Sequence, residues 1–340
     1  MFIAQRMGTF YGRAVEQLPY ESSEGGYQGW HTDTEDLLLG TIGLALPRDD
    51  DSSLQEAILG EIGDDAWCDY DWLVLEIDES LHFNWQRFCD TVKHSRRFFF
   101  QQIGGEDRHD PDERPLQRFL LDLGNLIDDL GLTRARPKGY TLYRARGRKP
   151  GVKFKTAAEL GPPPAKVATQ SNRMNPPGIP MFYAAESQPL ACAEGRQSLL
   201  SIGRFATERP LRLLDLATLP AIPGFFSRAT RRELQDLKFL HAFADLIAEP
   251  IVGDDRTHID YIPTQVLTEF LRDFHFSEGP IDGVRYRSAT GTPGANVVLF
   301  AGQADVCDAP VPPSSKDKRS MPWLRLASVR HVELPSGKKT

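Results

Sequence analysis

The sequence predicts an α+β protein: a mostly helical amino-terminal domain over 1–135, a mixed α/β domain over 136–305, and a carboxy-terminal extension over 306–340. Three observations carry this. The 340 residues are more than one ordinary domain of roughly 100–200 residues needs. Hydrophobic residues make up 40% and charged residues 26%, a globular balance that argues against disorder, collagen or coiled coil. The texture also changes near residue 139, where helical spacing of apolar residues gives way to strand-like alternation.

Charge divides the chain at the same place. Residues 1–130 hold 27 Asp and Glu against 10 Lys and Arg, a net of −17. The rest hold 20 acids and 30 bases, a net of +10, within an overall −7. A basic domain favours an anionic ligand, a dinucleotide or a nucleic acid, although attraction between the two halves would use the same asymmetry.

Taken in order, residues 1–30 are rich in Gly and Ser and read as loosely ordered. Asp36 to Leu46, Ser53 to Ile62 and Asp71 to Leu81 read as short helices with acidic faces. Asn84 to Phe100 is the strongest early helix, because Trp85, Phe88, Val92 and Phe99 share one face. Arg114 to Leu132 is another, ended by Gly131. No strand pattern appears before Tyr140. Tyr140–Arg144 then alternates as a strand. Residues 145–180, crowded with Pro and Gly, form a long irregular segment of the kind that often carries function. Met181–Ala184 is a short strand. Ser187 caps a helix through Leu200, with Pro189 in its first turn. Arg204–Leu214 is strand-like. Thr230 and Glu233 form a capping box ahead of a helix that Pro250 ends. Pro263 opens the next, through Phe274. Gly283–Ser288 and Asn296–Ala301 are strands.

Several classes are excluded. The best apolar run, Leu37 to Leu46, stops at Pro47, well short of the ~20 residues that cross a bilayer. The start, MFIAQRMGTFYGR, has no apolar core and no small-residue cleavage site, so no signal peptide is expected. A soluble, cytoplasmic protein follows. The four cysteines, at 68, 89, 192 and 307, are far apart in sequence and read as free thiols. The eight histidines contain no HExxH, and metal catalysis is disfavoured. No GxGxxG follows a strand, and no Walker, RNP or helix-turn-helix signature is found.

Three polar residues stand at suggestive places: Arg144 on the strand LYRAR, Glu194 in the small-residue helix of FYAAESQPLACAEG, and Ser288 closing the strand of GVRYRSATGTPGANVVLFAG. This combination resembles the RES domain, which is named for such an Arg, Glu and Ser. The segment SNRMNPPGIPMFYAAES, with Arg173 and Tyr183, and Asn296 before VVLF extend the resemblance to about residues 138–303. The acidic half resembles the helical HEPN-like region fused to some RES domains. The resemblance implies an ADP-ribosyltransferase-like core that takes NAD⁺ as substrate rather than as a retained cofactor. It implies cleavage of the nicotinamide–ribose bond, by hydrolysis or phosphorolysis, in a toxin or defence effector. The partners implied are NAD⁺, an Xre-like antitoxin or regulatory protein, and a second copy in a homodimer. Membrane and nucleic acid are not expected partners. Transfer of ADP-ribose to a protein, or NAD⁺ or ADP-ribose binding without turnover, are the alternatives.

The chemistry of these residues fits that implication. Arg144 and Arg173 are forks suited to a pyrophosphate. Tyr183 offers a platform for the nicotinamide or its ribose, and Tyr143, facing away from Arg144, is expected in the core. Glu194 would stabilise the positive charge that develops on the ribose, with Glu186 as its nearest rival. Ser288 can bond a phosphate or ribose hydroxyl, but no His and Asp accompany it as a triad. Asn296 can bond backbone or ligand. Arg87 and His94 also fit the loose R-x4–6-H pattern of HEPN ribonucleases, in acidic surroundings that repel RNA.

Overall fold

The computed structural model describes residues 2–47, 53–70, 74–99, 112–249, 257–309 and 321–334. In chain order they form α1 (Phe2–Phe10), β1 (Tyr11–Arg13), α2 (Ala14–Gln17), β2 (Tyr20–Glu21), β3 (Gly26–Tyr27), β4 (Thr32–Asp33), α3 (Ser53–Ile62), β5 (Ala66–Asp69), α4 (Ile77–Asp90) and α5 (Leu116–Asp129). There follow β6 (Thr133–Arg136), β7 (Thr141–Gly147), α6 (Ala157–Leu160), β8 (Phe182–Ala185), α7 (Gln188–Gly195), β9 (Leu199–Thr207) and β10 (Leu211–Asp215). The last elements are α8 (Arg231–Ala248), α9 (Thr257–Asp260), α10 (Ile262–Asp273), β11 (Gly283–Arg287), β12 (Ala295–Leu299), β13 (Val306–Cys307) and β14 (Leu324–Glu333). None of the described helices is long and apolar enough to cross a membrane. The chain divides into two compact units.

The first unit holds the described residues of 1–83, 108–113 and 220–239. Met7, Leu37, Leu38 and Trp67 are buried together, with Phe225 and Phe226 packed against them. The Trp67 indole N–H donates to Thr34 Oγ1 at 3.0 Å. The segment expected to be loosely ordered, 1–30, is instead built into α1, α2 and the strands β1 to β3. Its Gly and Ser content hid an anchor of few apolar residues: Met7, Phe10, Ala14 and Leu18 are all buried. Strands of two to four residues, among them β1, β4 and β5 in one sheet, are too short to show alternation, so none was expected here. Of Asp36 to Leu46 only Asp36–Thr41 is helical, with π-type bonding. The helix expected over 71–81 begins at Ile77, and residues 71–73 lie outside the described ones.

The second unit holds the described residues of 84–107, 114–219 and 240–340. Its centre is a nine-stranded sheet in the order β13-β14-β9-β7-β8-β12-β11-β10-β6. Leu142, Phe182, Phe205, Leu211, Leu213, Val297 and Leu299 form its main core. On the other face Leu190 and Ala191 of α7 pack on Ala185, with Tyr143 and Ala145 beside them. The sheet crosses both expected domain boundaries: β6 enters it from before residue 136, and β13 and β14 from the segment read as an extension. Thr133–Arg136 escaped sequence reading because an edge strand of polar residues shows no apolar alternation. Arg204–Leu214 is two strands, β9 and β10, and helix α7 stops at Gly195 rather than Leu200, because Arg196 takes the left-handed conformation at φ 46°.

The long early helix starts at Ile77 and ends earlier than expected. It is α-helical to Asp90 and π-helical from Thr91 to Ser95, then ends. Trp85, Phe88 and Val92 are buried as expected, but Phe98 is 95% exposed and Phe99 58% exposed. Arg96 is extended at φ −153°, so Phe98 and Phe99 lie beyond the helix and the shared face does not continue. The capping box at Thr230 and Glu233 is present, with Glu233 N donating to Thr230 Oγ1 at 3.1 Å.

Candidate active site

Strand register places four residues in one row. Tyr143 of β7 pairs with Ala185 of β8, Ala185 with Asn296 of β12, and Asn296 with Tyr286 of β11. Antiparallel partners point to the same face, so all four meet the underside of α7. Ala185, the small member of the row, lets Leu190 and Ala191 of α7 pack closely on it. Helix α7 is set there by Ser187, whose Oγ accepts from Leu190 N at 3.3 Å, and by Pro189 in the first turn.

The pairing of β7 with β8 is confined to that one registered pair, whereas β7 pairs with β9 over seven. The sheet therefore opens between β7 and β8. The opening is a cleft of about 240 Å³ lined by Tyr143, Arg144, Ala145, Tyr183, Ala184, Ala185, Ala191, Glu194, Gly195, Tyr286 and Asn296. At the lapse in the ladder the Arg144 guanidinium donates to the Tyr183 carbonyl at 3.1 Å and lies 5.3 Å from the Phe182 ring centroid.

Arg144 has no carboxylate within ion-pair distance among the described residues. Burial, with Arg146 adding to it, lowers its pKa to about 10, so it remains a cation at neutral pH. Among the described residues its five N–H donors make one hydrogen bond, and the residue lines the cleft.

Across the cleft, one oxygen of Glu194 is held twice. Ser288 Oγ donates to Glu194 Oε1 at 2.7 Å, and Asn296 Nδ2 donates to the same atom at 2.6 Å. Glu194 Oε2 makes no hydrogen bond among the described residues. Ser288 is itself fixed by Thr290, whose N–H donates to it at 3.1 Å. Ser288 is not among the residues lining the cleft and has no histidine partner among the described residues; its hydroxyl reaches the site through Glu194.

The expected site residues therefore gather with one exception. Arg144, Tyr183, Glu194 and Asn296 line the cleft, and Ser288 bonds to Glu194. Arg173 does not line it. Its guanidinium donates to the carbonyls of Ile247 and Glu249, the latter at 2.6 Å, where α8 ends. Free carbonyls at a helix end take up a nearby cation, and nothing in a Pro-rich loop sequence announces that partner. Thr264 Oγ1 further ties the Arg173 carbonyl to α10.

Two tyrosines alter the sequence picture. Tyr143, expected in the core, lines the cleft, because the splayed strands expose residues of both faces. Tyr286 was not singled out, although period-two alternation places it on the face of Ser288. Tyr183 donates its hydroxyl to Asn175 Oδ1 at 2.6 Å and accepts from Met174 N at 3.1 Å. These two bonds occupy the hydroxyl and leave the ring for a ligand; burial also pushes the phenol pKa up.

Glu186 is committed elsewhere. Arg285 grips both its oxygens, at 2.9 and 2.8 Å, and the Tyr140 hydroxyl donates to it at 2.5 Å. Asp215, 4% exposed, joins Arg285 to Arg136. Arg87 donates to Asn84 Oδ1 and to the Arg114 carbonyl, whereas His94 lies on the exposed π turn. The four cysteines are free, and burial raises each thiol pKa, that of Cys89 to about 12.

Two family models match the chain. That described as RES domain covers residues 141–324, and that described as HEPN/RES N-terminal domain 1 covers residues 1–106. No curated protein and no solved structure matches it.

Proposed function

The chain belongs to the RES domain family, and on that premise we propose that the cleft between β7 and β8 binds NAD⁺ and cleaves its nicotinamide–ribose bond. One observation supports this above the rest: an unpaired, desolvated guanidinium borders the same cleft as a carboxylate with one bound and one free oxygen. An arginine left without an acid in a low-dielectric cleft is placed for an anionic ligand. The cleft is small against the roughly 300–1,000 Å³ of ordinary ligand pockets, which suits the nicotinamide riboside half rather than the whole dinucleotide.

In this reading Arg144 holds the pyrophosphate, and the rings of Tyr183 and Tyr143 flank the flat base. As the glycosidic bond breaks, its electron pair goes to the pyridine nitrogen, and nicotinamide leaves neutral without a general acid. Positive charge grows on the ribose, and Glu194 faces it with the free Oε2. Ser288 and Asn296 fix Oε1, so the carboxylate needs no reorganisation as the charge appears. Water then bonds to the ribose carbon and passes a proton to Glu194 Oε2 and on to solvent, or a phosphate oxyanion bonds there with no proton to lose. The +10 balance beyond residue 130 favours arrival of an anionic substrate.

Depletion of NAD⁺ would make the protein a toxin or defence effector of the cytoplasm. An Xre-like antitoxin or regulatory protein is the partner proposed, along with a second copy of the chain. The amino-terminal half is proposed to regulate or assemble. The test is to incubate the full chain with NAD⁺, with and without phosphate, and follow free nicotinamide. Release that Glu194→Gln abolishes is expected. No release in either condition overturns the reading, and label passing from NAD⁺ to a protein replaces it with ADP-ribosyl transfer.

A further inference from the structure

Tyr286 is 8% exposed, yet its hydroxyl has no hydrogen-bond partner among the described residues. The oxygen is not one of the buried, unpartnered side-chain atoms of the described residues, so its hydrogen-bonding capacity is open to whatever reaches it from outside the fold. The residue lines the cleft beside Glu194 and Asn296. Tyr183, a half-buried tyrosine of the cleft, has both its donor and its acceptor satisfied within the fold. The two phenols thus differ in kind: one is a structural member, and one is open toward the ligand space.

We propose that Tyr286 is a further substrate-contacting residue, whose phenol donates a hydrogen bond to a neutral oxygen in the nicotinamide riboside half of NAD⁺. This rests on the NAD⁺ reading of the cleft. The cross-strand pair Tyr286–Asn296 puts the ring next to the residue that fixes Glu194, so it meets the half of the ligand where the bond breaks. The carboxamide oxygen of the base and a ribose hydroxyl share the required chemistry. Burial raises the Tyr286 pKa, which keeps the phenol a donor at neutral pH. A cleft that spends a buried hydroxyl on one substrate oxygen discriminates against ligands lacking that oxygen.

The experiment uses the full chain, with NAD⁺ affinity measured by calorimetry and turnover by nicotinamide release. Tyr286→Phe keeps the ring and removes the oxygen. Affinity and kcat/KM are expected to fall about tenfold, the worth of one hydrogen bond of this kind. The melting temperature is expected to hold, because the hydroxyl makes no hydrogen bond among the described residues. Pyridine adenine dinucleotide, which lacks the carboxamide, separates the two sources. A penalty that disappears with this analogue assigns the carboxamide oxygen, and one that persists assigns the ribose. As a second readout, 3-fluorotyrosine placed at position 286 should shift its fluorine resonance when NAD⁺ binds. Unchanged NAD⁺ affinity and turnover in Tyr286→Phe, or a silent fluorine with NAD⁺ bound, overturns the inference alone. A wild-type protein that fails to bind NAD⁺ overturns the parent reading and this inference with it.

Discussion

Ser288 and Glu194, 94 positions apart in the chain, meet through a 2.7 Å hydrogen bond from Ser288 Oγ to Glu194 Oε1. The serine is a positioning group for the acid. Ser288→Ala leaves Asn296 as the remaining donor to that oxygen. The rate of nicotinamide release should fall about tenfold, and Glu194→Gln should lower it by roughly a hundredfold or more. The double variant should match Glu194→Gln, because residues acting through one carboxylate are not additive. Additive losses in steady-state kinetics would show that Ser288 acts independently.

Arg144 separates binding from stability. Arg144→Met removes a desolvated charge that has no acid beside it, so the melting temperature should not fall and should rise if packing is kept. Affinity for NAD⁺ should drop roughly 10- to 100-fold, the loss of charge-assisted bonds to a phosphate. Thermal melting and calorimetry together check this; a destabilised variant with unchanged affinity would assign the arginine to the fold.

Arg173 should behave in the opposite way. It bonds the carbonyls at the end of α8 rather than lining the cleft. Arg173→Ala should cost about 1–2 kcal/mol in chemical denaturation, and nicotinamide release per folded molecule should stay within about twofold.

Acid should loosen the second unit through Glu186. Burial pushes its pKa up, but the hydrogen bonds and charge of Arg285, with Tyr140 assisting, outweigh that and leave it lowered. A carboxylate depressed in the folded state stabilises above its unfolded pKa, and that stability is lost as pH falls through the folded value. Unfolding midpoints should therefore decline below the ordinary carboxylate value near 4.5. Glu186→Gln, less stable at neutral pH, should show a shallower decline over that range.

Gly283 in β11 has no room for a side chain. A Cβ there would stand 2.1 Å from the Val298 carbonyl oxygen and 2.9 Å from the Leu299 Cα. Both are backbone atoms of the neighbouring strand and cannot turn aside. Gly283→Ala should destabilise by about 2 kcal/mol or more, read from the denaturant midpoint.

The elements that sequence reading found share one property: their signal is local. The capping box at Thr230 and Glu233, the Ser187 cap with Pro189, and the alternation of Gly283–Ser288 are short-range stereochemistry, and each is present in the structure. The missed strands are β1 to β6, β13 and β14; most are short or polar, and apart from the local β2–β3 hairpin they exist because a segment far along the chain pairs with them. Phe99 failed for a related reason, since the helix end at Arg96 carries no mark that spacing can detect.

By itself the sequence determined the α+β class, the split in charge, and the residue types at 144, 183, 194, 288 and 296. Tertiary structure decided their use. It placed Tyr143, Ala185, Asn296 and Tyr286 in one row, moved Arg173 to a helix end, and brought Ser288 onto Glu194. Strand order and register join residues up to a hundred or more positions apart, and no local preference of the chain specifies which strand will lie beside which.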